Sequence, residues 1–235
     1  MKKILVIIPA YNEGKNILKT VKDLKKSKID LDYVVINDGS IDDTLKVLID
    51  NEINYINLPT NMGIGCAVQT GYIYAEKRGY DIAVQFDGDG QHNACYIKTL
   101  IDKIADGNDL VIGSRYIEKQ GFQSSCLRRL GIKWISFVTK ILIGKSSTDA
   151  TSGFRACNKK VISFFAKNYP MDFPESETYL IAYLNHFKIA DVPVVMNERT
   201  SGKSSIHSLK SIYFMIKVTI SLIFARIMWG GKNNE

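Results

Sequence analysis

At 235 residues the chain can bury a substantial core without disulfide or metal staples, and one large α/β domain is the simplest arrangement. Its four cysteines are scattered, with no C-x-x-C pair and no nearby histidine cluster, which argues against a zinc site or a disulfide framework and fits a reducing cytoplasm. A formal net charge of +7 predicts attraction to anions, whether nucleic acid, acidic lipid headgroups or phosphorylated substrates.

The N-terminus does not have the pattern of a signal peptide. Two lysines are followed by an apolar run of only five residues, 4–8, before Pro9, and no small-residue cleavage site follows. We therefore expect the protein to stay on the side of the membrane where it is made.

Short β-branched runs alternate with helical patterns through the first half of the chain. The predicted strands are 4–8, 33–37, 55–58, 82–86 and 110–113, and the predicted helices begin near Glu13 and Asp42, after Asn61, and near Ala94. Such alternation predicts an α/β fold with a single, mostly parallel, Rossmann-like sheet flanked by helices.

Polar, glycine-rich loops follow the predicted strands. These loops are residues 9–13, 37–40, 61–65 and 87–89. In such a sheet, ligands bind beyond the carboxyl ends of the strands, so four polar loops on one rim predict a binding site there.

The segment D-G-D-G-Q-H, residues 87–92, follows the apolar run 82–86. Two carboxylates one residue apart at the end of a buried strand are costly unless a cation lies between them. A divalent cation that carries a phosphorylated substrate is the usual solution, which predicts an enzyme acting on a nucleotide diphosphate. Taken alone, the same residues also fit an ordinary turn.

The second half contains two apolar, basic segments. In the helix predicted over 128–144, a basic stripe (Arg129, Lys133, Ser136, Lys140) lies beside a broad apolar face (Leu130, Trp134, Ile135, Val138, Ile141, Leu142). Residues 212–229 are apolar but interrupted by Lys217 and Arg226, which favours an interfacial or partner-binding helix over a spanning one. We expect both segments to bind an anionic membrane surface; the alternative for the first is a helix that covers the core.

Seven motifs occur in order: I-P-A-Y-N-E, N-D-G-S-x-x-D-T, N-x-G-x-G, D-G-D-G-Q-H, G-S-R, T-S-G-F-R and E-R-x-S-G-K-S. This set, from residue 8 to about residue 205, resembles the family 2 glycosyltransferases, especially the polyprenyl-phosphate sugar synthases of the dolichyl-phosphate mannose synthase type. The resemblance implies a GT-A domain over 1–205, followed by a basic amphipathic segment over 206–235. It also implies a nucleotide-sugar donor, Mg²⁺ or Mn²⁺, and inversion at the anomeric carbon.

The resemblance also assigns roles to residues. The nucleoside is expected at Pro9, Ala10, Tyr11 and Glu13, the uracil base at Asp38, and further donor contact at Gly65. Asp87, Asp89 and Gln91 match the metal and diphosphate positions, with Asp89 also counted as catalytic, and His92 is expected to pack or support rather than ligate. Arg199 and Lys203 match a mobile loop that closes on the diphosphate. Gly113–Arg115 and Thr151–Arg155 match the lining of the sugar and acceptor pocket. Asn37 replaces an aspartate often found first in its motif, which leaves Asp38 to bind the base.

The acceptor stays open at this point. A hydroxyl acceptor needs a general base, for which Glu177 is a better candidate than Glu175, whereas an ionised lipid phosphate needs cations such as Arg115, Arg128 and Arg129. Either glutamate also fits a helix N-terminal charge after Pro174.

The leading hypothesis is transfer of a hexose or N-acetylhexosamine from a UDP-sugar to polyprenyl (undecaprenyl) phosphate, by an enzyme peripheral to the cytoplasmic face of the membrane. The alternative is transfer from a UDP- or dTDP-sugar to a hydroxyl of a lipid-linked saccharide in cell-envelope polysaccharide synthesis. A small membrane protein is a further possible partner. A non-catalytic nucleotide- or nucleic-acid-binding module is the third hypothesis, but the chain has no evident nucleic-acid motif, and we expect no nucleic acid partner.

Overall fold

The structure is a computed structural model that describes residues 2–118, 126–197 and 208–230. The strands are β1 (Ile4–Ala10), β2 (Asp32–Asn37), β3 (Tyr55–Asn57), β4 (Ile82–Gln85), β5 (Leu110–Ser114), β6 (Arg155–Asn158) and β7 (Ile189–Pro193). The helices are α1 (Ile17–Lys25), α2 (Thr44–Asp50), α3 (Ile64–Lys77), α4 (Ile97–Ala105), α5 (Cys126–Ile143), α6 (Lys159–Asn168), α7 (Pro174–Leu184) and α8 (Ser208–Gly230).

Within the described residues the strands form one seven-stranded sheet in the order β3-β2-β1-β4-β6-β5-β7. Every neighbouring pair is parallel except those made by β6, which is antiparallel to both β4 and β5. The predicted mostly parallel sheet flanked by helices is therefore confirmed. The antiparallel strand β6 and the late strand β7 were not predicted.

The sheet is buried on both faces because helices pack on both sides of it, and alternate side chains of each strand point to opposite sides. On β1, Val6 and Ile8 pack with α1, α2 and α4, whereas Leu5 and Ile7 pack with α3, α6 and α7. This two-sided burial explains why β1, β2 and β4 are nearly continuous apolar runs.

The predicted helix starts are early by two to four residues. The helix expected near Glu13 begins at Ile17, because the Glu13 carbonyl accepts the N–H groups of Asn16 and Ile17 in a turn that precedes the helix. The helix expected near Asp42 begins at Thr44.

A third apolar cluster lies beside the sheet, where α5, α7 and α8 pack together. Ile135 and Val138 of α5 meet Val218 and Leu222 of α8 in this cluster. One face of α5 therefore packs against the rest of the protein, in agreement with the alternative prediction of a helix that covers the core. The outward side of the same helix pair also remains apolar, with these large side chains exposed: Leu130, Trp134, Phe137, Ile141, Ile216, Ile220, Ile223, Phe224, Ile227 and Met228.

In the described part of the chain, one helical segment, Tyr213–Gly230, is long and apolar enough by length and composition to cross a membrane.

Candidate functional site

A cleft of about 380 Å³ lies at the carboxyl ends of β1, β2 and β4. It is lined by Pro9, Ala10, Tyr11, Glu13, Asp38, Asn61, Gly63, Ile64, Ala67, Asp87, Gly88 and Asp89. Residues from all four predicted polar loops therefore line one cleft. β1 lies between β2 and β4, so the strand order reverses direction at β1. Open α/β sheets bind ligands at such a point.

Asp38 lies deep in this cleft and is 3% exposed. Its Oδ1 accepts the N–H of Met62 at 2.7 Å, and its Oδ2 accepts the N–H of Gly63 at 3.0 Å. Two backbone donors fix the orientation of the carboxylate, and each oxygen keeps capacity to accept a further hydrogen bond. Asn37 is instead bonded to Asn57 and Ser40, so it holds the loop together.

Glu13 is also buried, and its position is fixed by both its backbone and its side chain. Its N–H donates to Thr44 Oγ1 at 2.9 Å, and its Oε2 accepts from Asn16 Nδ2 at 2.7 Å. Tyr11, which follows the end of β1, is 43% exposed at the cleft. An exposed aromatic ring beside buried carboxylates is a surface on which a nucleoside base can lie.

Asp87 is contacted by the side chains of Gln85 and His92. Gln85 Nε2 donates to Asp87 Oδ1 at 3.3 Å, and the N–H of Asp87 donates to His92 Nδ1 at 2.9 Å. The acceptor role of Nδ1 places the ring hydrogen on Nε2, which lies 3.5 Å from Asp87 Oδ2. His92 also stacks on Phe154 with ring centroids 4.7 Å apart, so it packs and supports as expected.

Asp89 lies in the turn after Asp87, where the N–H of Gln91 donates to its Oδ1 at 3.0 Å. The described contacts of Gln91 are made by its backbone, including a carbonyl that accepts the N–H of Asn197. The role of its side chain as a metal ligand stays a prediction.

Whether a divalent cation fits beside Asp87 and Asp89 depends on which side chains there can act as metal ligands. Asp87 and Asp89 line the same cleft, and among the described residues no group of three or more His, Cys, Asp and Glu side chains is arranged to hold a metal ion. The described residues thus supply two carboxylates and no complete cage of protein ligands. Hard cations such as Mg²⁺ bind in this way, through one or two carboxylates together with substrate phosphates. The residues present fit such an ion.

Tyr169 extends the support of Asp87 into the core. Its hydroxyl donates to Gln85 Oε1 at 3.3 Å, which leaves the Gln85 amide nitrogen directed at Asp87. Burial raises the pKa of Tyr169 well above its ordinary value of 10, so the hydroxyl stays protonated and acts as a donor.

The T-S-G-F-R segment lies beneath the acidic loop. A Cβ on Gly153 would come within 2.9 Å of Asp87 Oδ2, so only glycine allows this close approach. Ser152, Phe154 and Arg155 are each at most 1% exposed. These three side chains therefore support the acidic loop, and contact of T-S-G-F-R with the sugar or the acceptor stays a prediction.

Arg115 is only 5% exposed, and its guanidinium is bonded to Asp149. Nε donates to Asp149 Oδ2 at 2.7 Å and Nη2 to Oδ1 at 2.9 Å. Burial lowers the pKa of Arg115, but its hydrogen bonds to the Asp149 carboxylate and the negative charge of that carboxylate outweigh burial, so the net shift is upward. In this arrangement Arg115 connects the end of β5 to the segment before T-S-G-F-R. A catalytic role for Arg115 toward the acceptor phosphate stays a prediction.

Gly65 is buried in the first turn of α3. A Cβ there would come within 2.3 Å of the Met171 carbonyl oxygen, so the glycine lets α3 pack against the segment that leads to α7. The structure gives Gly65 a packing role, and the donor contact stays a prediction.

Glu177 lies in the first turn of α7, half-buried, and its Oε1 accepts a hydrogen bond from Ser221 of α8. Burial raises its pKa, the Ser221 hydrogen bond lowers it, and nearby Asp172 raises it again, with a net increase. The backbone carbonyl of Glu175 accepts from Arg155 Nη2 at 2.5 Å. Arg199, Lys203 and the side chain of Arg128 lie outside the described residues, so their roles stay predictions.

The residues that sequence reasoning missed are Gln85, Tyr169 and Asp149. Gln85 carried the clearest signal, because it is a polar residue at the end of an otherwise apolar strand. Asp149 is an acidic residue two positions before T-S-G-F-R, and Tyr169 has no sequence signal that separates it from other core tyrosines.

The chain thus has a Rossmann-like sheet and, at its strand ends, one cleft lined by Glu13, Asp38, Asp87 and Asp89. The family model for glycosyl transferase family 2 matches residues 5–164, and the chain belongs to this family.

Two curated relatives span most of the chain. The UDP-N-acetylglucosamine–dolichyl-phosphate N-acetylglucosaminyltransferase of Methanococcus voltae is 34% identical over 82% of this chain and 85% of its own. The undecaprenyl-phosphate mannosyltransferase of Micrococcus luteus is 29% identical over 86% of each chain.

A solved structure of glucosyl-3-phosphoglycerate synthase from Mycobacterium tuberculosis, in complex with Mn²⁺, UDP and glucosyl-3-phosphoglycerate, superposes with a TM-score of 0.72. The two chains are 20% identical, and the match covers 96% of this chain and 80% of that one. The likeness shows that this chain has the GT-A fold.

Proposed function

We propose that this glycosyltransferase moves a hexose or N-acetylhexosamine from a UDP-sugar to polyprenyl phosphate, with inversion at the anomeric carbon. The observation that carries the proposal is a cleft in which buried Asp38 and paired Asp87 and Asp89 lie together, in a chain whose relatives are named for transfer to dolichyl or undecaprenyl phosphate.

The donor is proposed to bind with its base against Asp38 and its diphosphate near the acidic loop. The fixed carboxylate of Asp38 accepts from a base N–H, and the ring of Tyr11 packs against the nucleoside. Pro9, Ala10 and Glu13 border the same space. Uracil fits because its ring N–H donates to a carboxylate.

Asp87 and Asp89 are proposed to hold Mg²⁺ or Mn²⁺, with Gln91 as a third candidate. When bound, the ion would neutralise charge on the departing nucleotide diphosphate. The contribution of the chain is to fix the two carboxylates before the substrate arrives, because Gln85 and His92 already orient Asp87 and the Gln91 N–H orients Asp89. Arg199 and Lys203 are proposed to contact the same diphosphate.

A lipid phosphate is the acceptor that the site supports best. A phosphate oxygen is already ionised at neutral pH, so it can attack the anomeric carbon as the bond to the UDP oxygen breaks, and no residue has to remove a proton. Glu177, the best candidate for a base, is bonded to Ser221. Arg115, Arg128 and Arg129 are proposed to attract the acceptor phosphate.

Peripheral attachment to the cytoplasmic face of the membrane is proposed for α5 and α8. The groove between them, about 590 Å³, is lined by apolar side chains with Lys133 as the one charged residue among those described: Leu130, Lys133, Trp134, Phe137, Met215, Ile216, Thr219 and Ile220. An apolar helix face on a chain of net charge +7 suits an anionic bilayer surface. A small membrane protein is the other partner that this face could bind.

A second candidate function is transfer from a UDP- or dTDP-sugar to a saccharide hydroxyl in cell-envelope polysaccharide synthesis. The raised pKa of Glu177 favours it, because a general base works best when its pKa approaches the working pH.

The test is transfer of labelled sugar from a panel of UDP- and dTDP-sugars into organic-extractable product, with Mn²⁺ or Mg²⁺ and undecaprenyl phosphate as sole acceptor. We expect labelled lipid from at least one UDP-sugar and none from the Asp89→Ala variant. Absence of labelled lipid from protein that still binds UDP would contradict the proposal and favour the hydroxyl acceptor.

A further inference from the structure

A polar contact between described residues joins the first turn of α7 to α8. Ser221, in the middle of α8, donates its hydroxyl hydrogen to Glu177 Oε1. On α8 this serine lies between Val218 and Leu222, both fully buried in the apolar cluster shared by α5, α7 and α8. A carboxylate at such an interface is costly unless a donor meets it, so the pair fixes which part of α8 lies against α7.

The remaining contacts of α8 are mostly apolar. Phe214 meets Phe173 edge to face with centroids 5.3 Å apart, and Trp229 meets Phe164 of α6 at the same separation. The Trp134 indole of α5 donates to Thr219 Oγ1 at 3.0 Å. Arg226 Nε of α8 also donates to the Leu142 carbonyl of α5 at 3.1 Å, so hydrogen bonds fix α8 against α5. The hydrogen bond from Ser221 to Glu177 is the described one that fixes α8 against α7.

The same turn of α7 is held to the support of the acidic loop. Arg155 of β6 donates to the Glu175 carbonyl and to Thr178 Oγ1. In the sheet Arg155 is paired with Gln85, whose amide donates to Asp87. Glu177 therefore lies at the junction between the buried scaffold of the acidic loop and the helix that carries the apolar outer face.

We infer that Glu177 is a positioning residue, which holds α8 against the catalytic domain so that a lipid acceptor seated at the apolar face reaches the cleft. It does not act as a general base. The expected effect on the KM for the lipid rests on the proposed lipid phosphate acceptor. The expected effect on the position of α8 does not.

Three variants separate the two roles of this side chain. Glu177→Gln keeps an oxygen that accepts from Ser221 but cannot remove a proton. Glu177→Ala removes both abilities, and Ser221→Ala removes the contact while leaving the carboxylate in place.

The first readout is acrylamide quenching of tryptophan fluorescence in the full chain. The chain has two tryptophans, Trp134 and Trp229, and both lie at contacts of α8. We expect Glu177→Ala and Ser221→Ala to increase quenching and Glu177→Gln to match wild type, whether or not the lipid is a substrate.

The second readout is steady-state transfer to undecaprenyl phosphate in detergent. A hydrogen bond to a charged group contributes enough that its loss should raise the lipid KM by about tenfold in Glu177→Ala and Ser221→Ala. We expect kcat to change by less than about twofold, because no interaction made only in the transition state is lost. Glu177→Gln should keep both constants, and UDP affinity should be unchanged in all three.

Two results would overturn the inference. A Glu177→Gln variant that loses kcat as fully as Glu177→Ala, while Ser221→Ala stays active, would make Glu177 a base. Unchanged quenching in both Glu177→Ala and Ser221→Ala would show that the contact does not hold α8. If wild type transfers no sugar to the lipid, the proposed function fails, and quenching still decides the anchoring role.

Discussion

The carboxylate of Asp87 has to keep one orientation if it is to meet a cation and a diphosphate together. Gln85 Nε2 donates to its Oδ1 at 3.3 Å, and His92 Nε2 lies 3.5 Å from its Oδ2. The Gln85 amide is itself oriented by Tyr169, whose hydroxyl donates to the amide oxygen. The geometry of the acidic loop thus depends on a phenol buried in the core.

Replacement of Tyr169 by Phe tests this dependence. Loss of one neutral hydrogen bond costs about 1 kcal/mol, so we expect the Mn²⁺ concentration needed for half-maximal activity to rise by about fivefold, with little change in melting temperature. Tyr72→Phe is the matched control, because its ring lies 5.3 Å from that of Tyr169 while its hydroxyl bonds to Cys157. Equal metal requirements in Tyr169→Phe and wild type would contradict the account.

The raised pKa of Glu177 predicts a pH-dependent stability difference. A carboxyl whose folded pKa is above its ordinary value of 4.5 favours folding when protonated, and it loses that contribution as pH rises from the ordinary value through the folded one. Glu177→Gln has no such loss. We expect the variant to melt higher than wild type at about pH 7.5 and at nearly the same temperature at about pH 4. A variant that is less stable at neutral pH would contradict the prediction.

At the scale of elements, the cleft depends on how closely α3 packs against the segment that precedes α7. Gly65 allows this approach, because a Cβ there would lie 2.3 Å from the Met171 carbonyl oxygen and 2.4 Å from that of Pro170. Backbone oxygens cannot rotate away as a flexible side chain can. Gly63 and Ile64, which precede Gly65 and line the cleft, are therefore expected to shift when this contact is disrupted.

Gly65→Ala should destabilise the fold by about 3 kcal/mol, at the upper end of the usual cost of overpacking. Gly131→Ala on α5 is the matched control, because its Cβ would lie 3.5 Å from Met215 Sδ, an ordinary contact. Alanine also favours the helix by up to about 1 kcal/mol, so the control should be neutral or stabilising. Urea unfolding of the two variants measures both effects, and similar costs would contradict the packing argument.

The early elements could be predicted from sequence because β1, β2 and β4 are apolar runs bounded by polar loops, and each is followed by a helix. The strand β6 could not, because four residues that pair antiparallel between β4 and β5 carry no periodic signal. The start of α7 at Pro174, with Glu175 and Glu177 in its first turn, agrees with the helix N-terminus that the sequence allowed there.

For the site, the sequence predicted that polar loops after the strands converge, and Asp38, Asp87 and Asp89 of these loops line one cleft. It did not predict their supports. Tyr169 is 84 positions from Gln85, and the position of Arg115 depends on its pairing with Asp149. Such contacts exist only after the chain has folded.

At the scale of the whole molecule, two surfaces of opposite character are joined by α7. One is the acidic cleft at the strand ends, and the other is the outward apolar face of α5 and α8. A water-soluble nucleotide sugar and a membrane-embedded phosphate would be brought together by such an arrangement.

Vesicle co-sedimentation tests the apolar face. We expect Ile220→Asp with Phe224→Asp to reduce binding to anionic phosphatidylglycerol vesicles by about tenfold or more, because charges at an interfacial helix resist burial in lipid. Ile49→Asp on α2, an exposed apolar position of similar accessibility, should bind as wild type does. Equal binding by wild type and both variants would show that the protein does not bind the membrane through α5 and α8.

In the proposed reaction the acceptor atom is a lipid phosphate oxygen. The most direct measurement is mass spectrometry of products formed when the enzyme and a UDP-sugar are given undecaprenyl phosphate, undecaprenol and a lipid-linked saccharide in one reaction. The account predicts a single glycosylated product, the sugar ester of undecaprenyl phosphate, with the other two lipids unchanged. Glycosylation of the saccharide, or of the lipid alcohol, would contradict it.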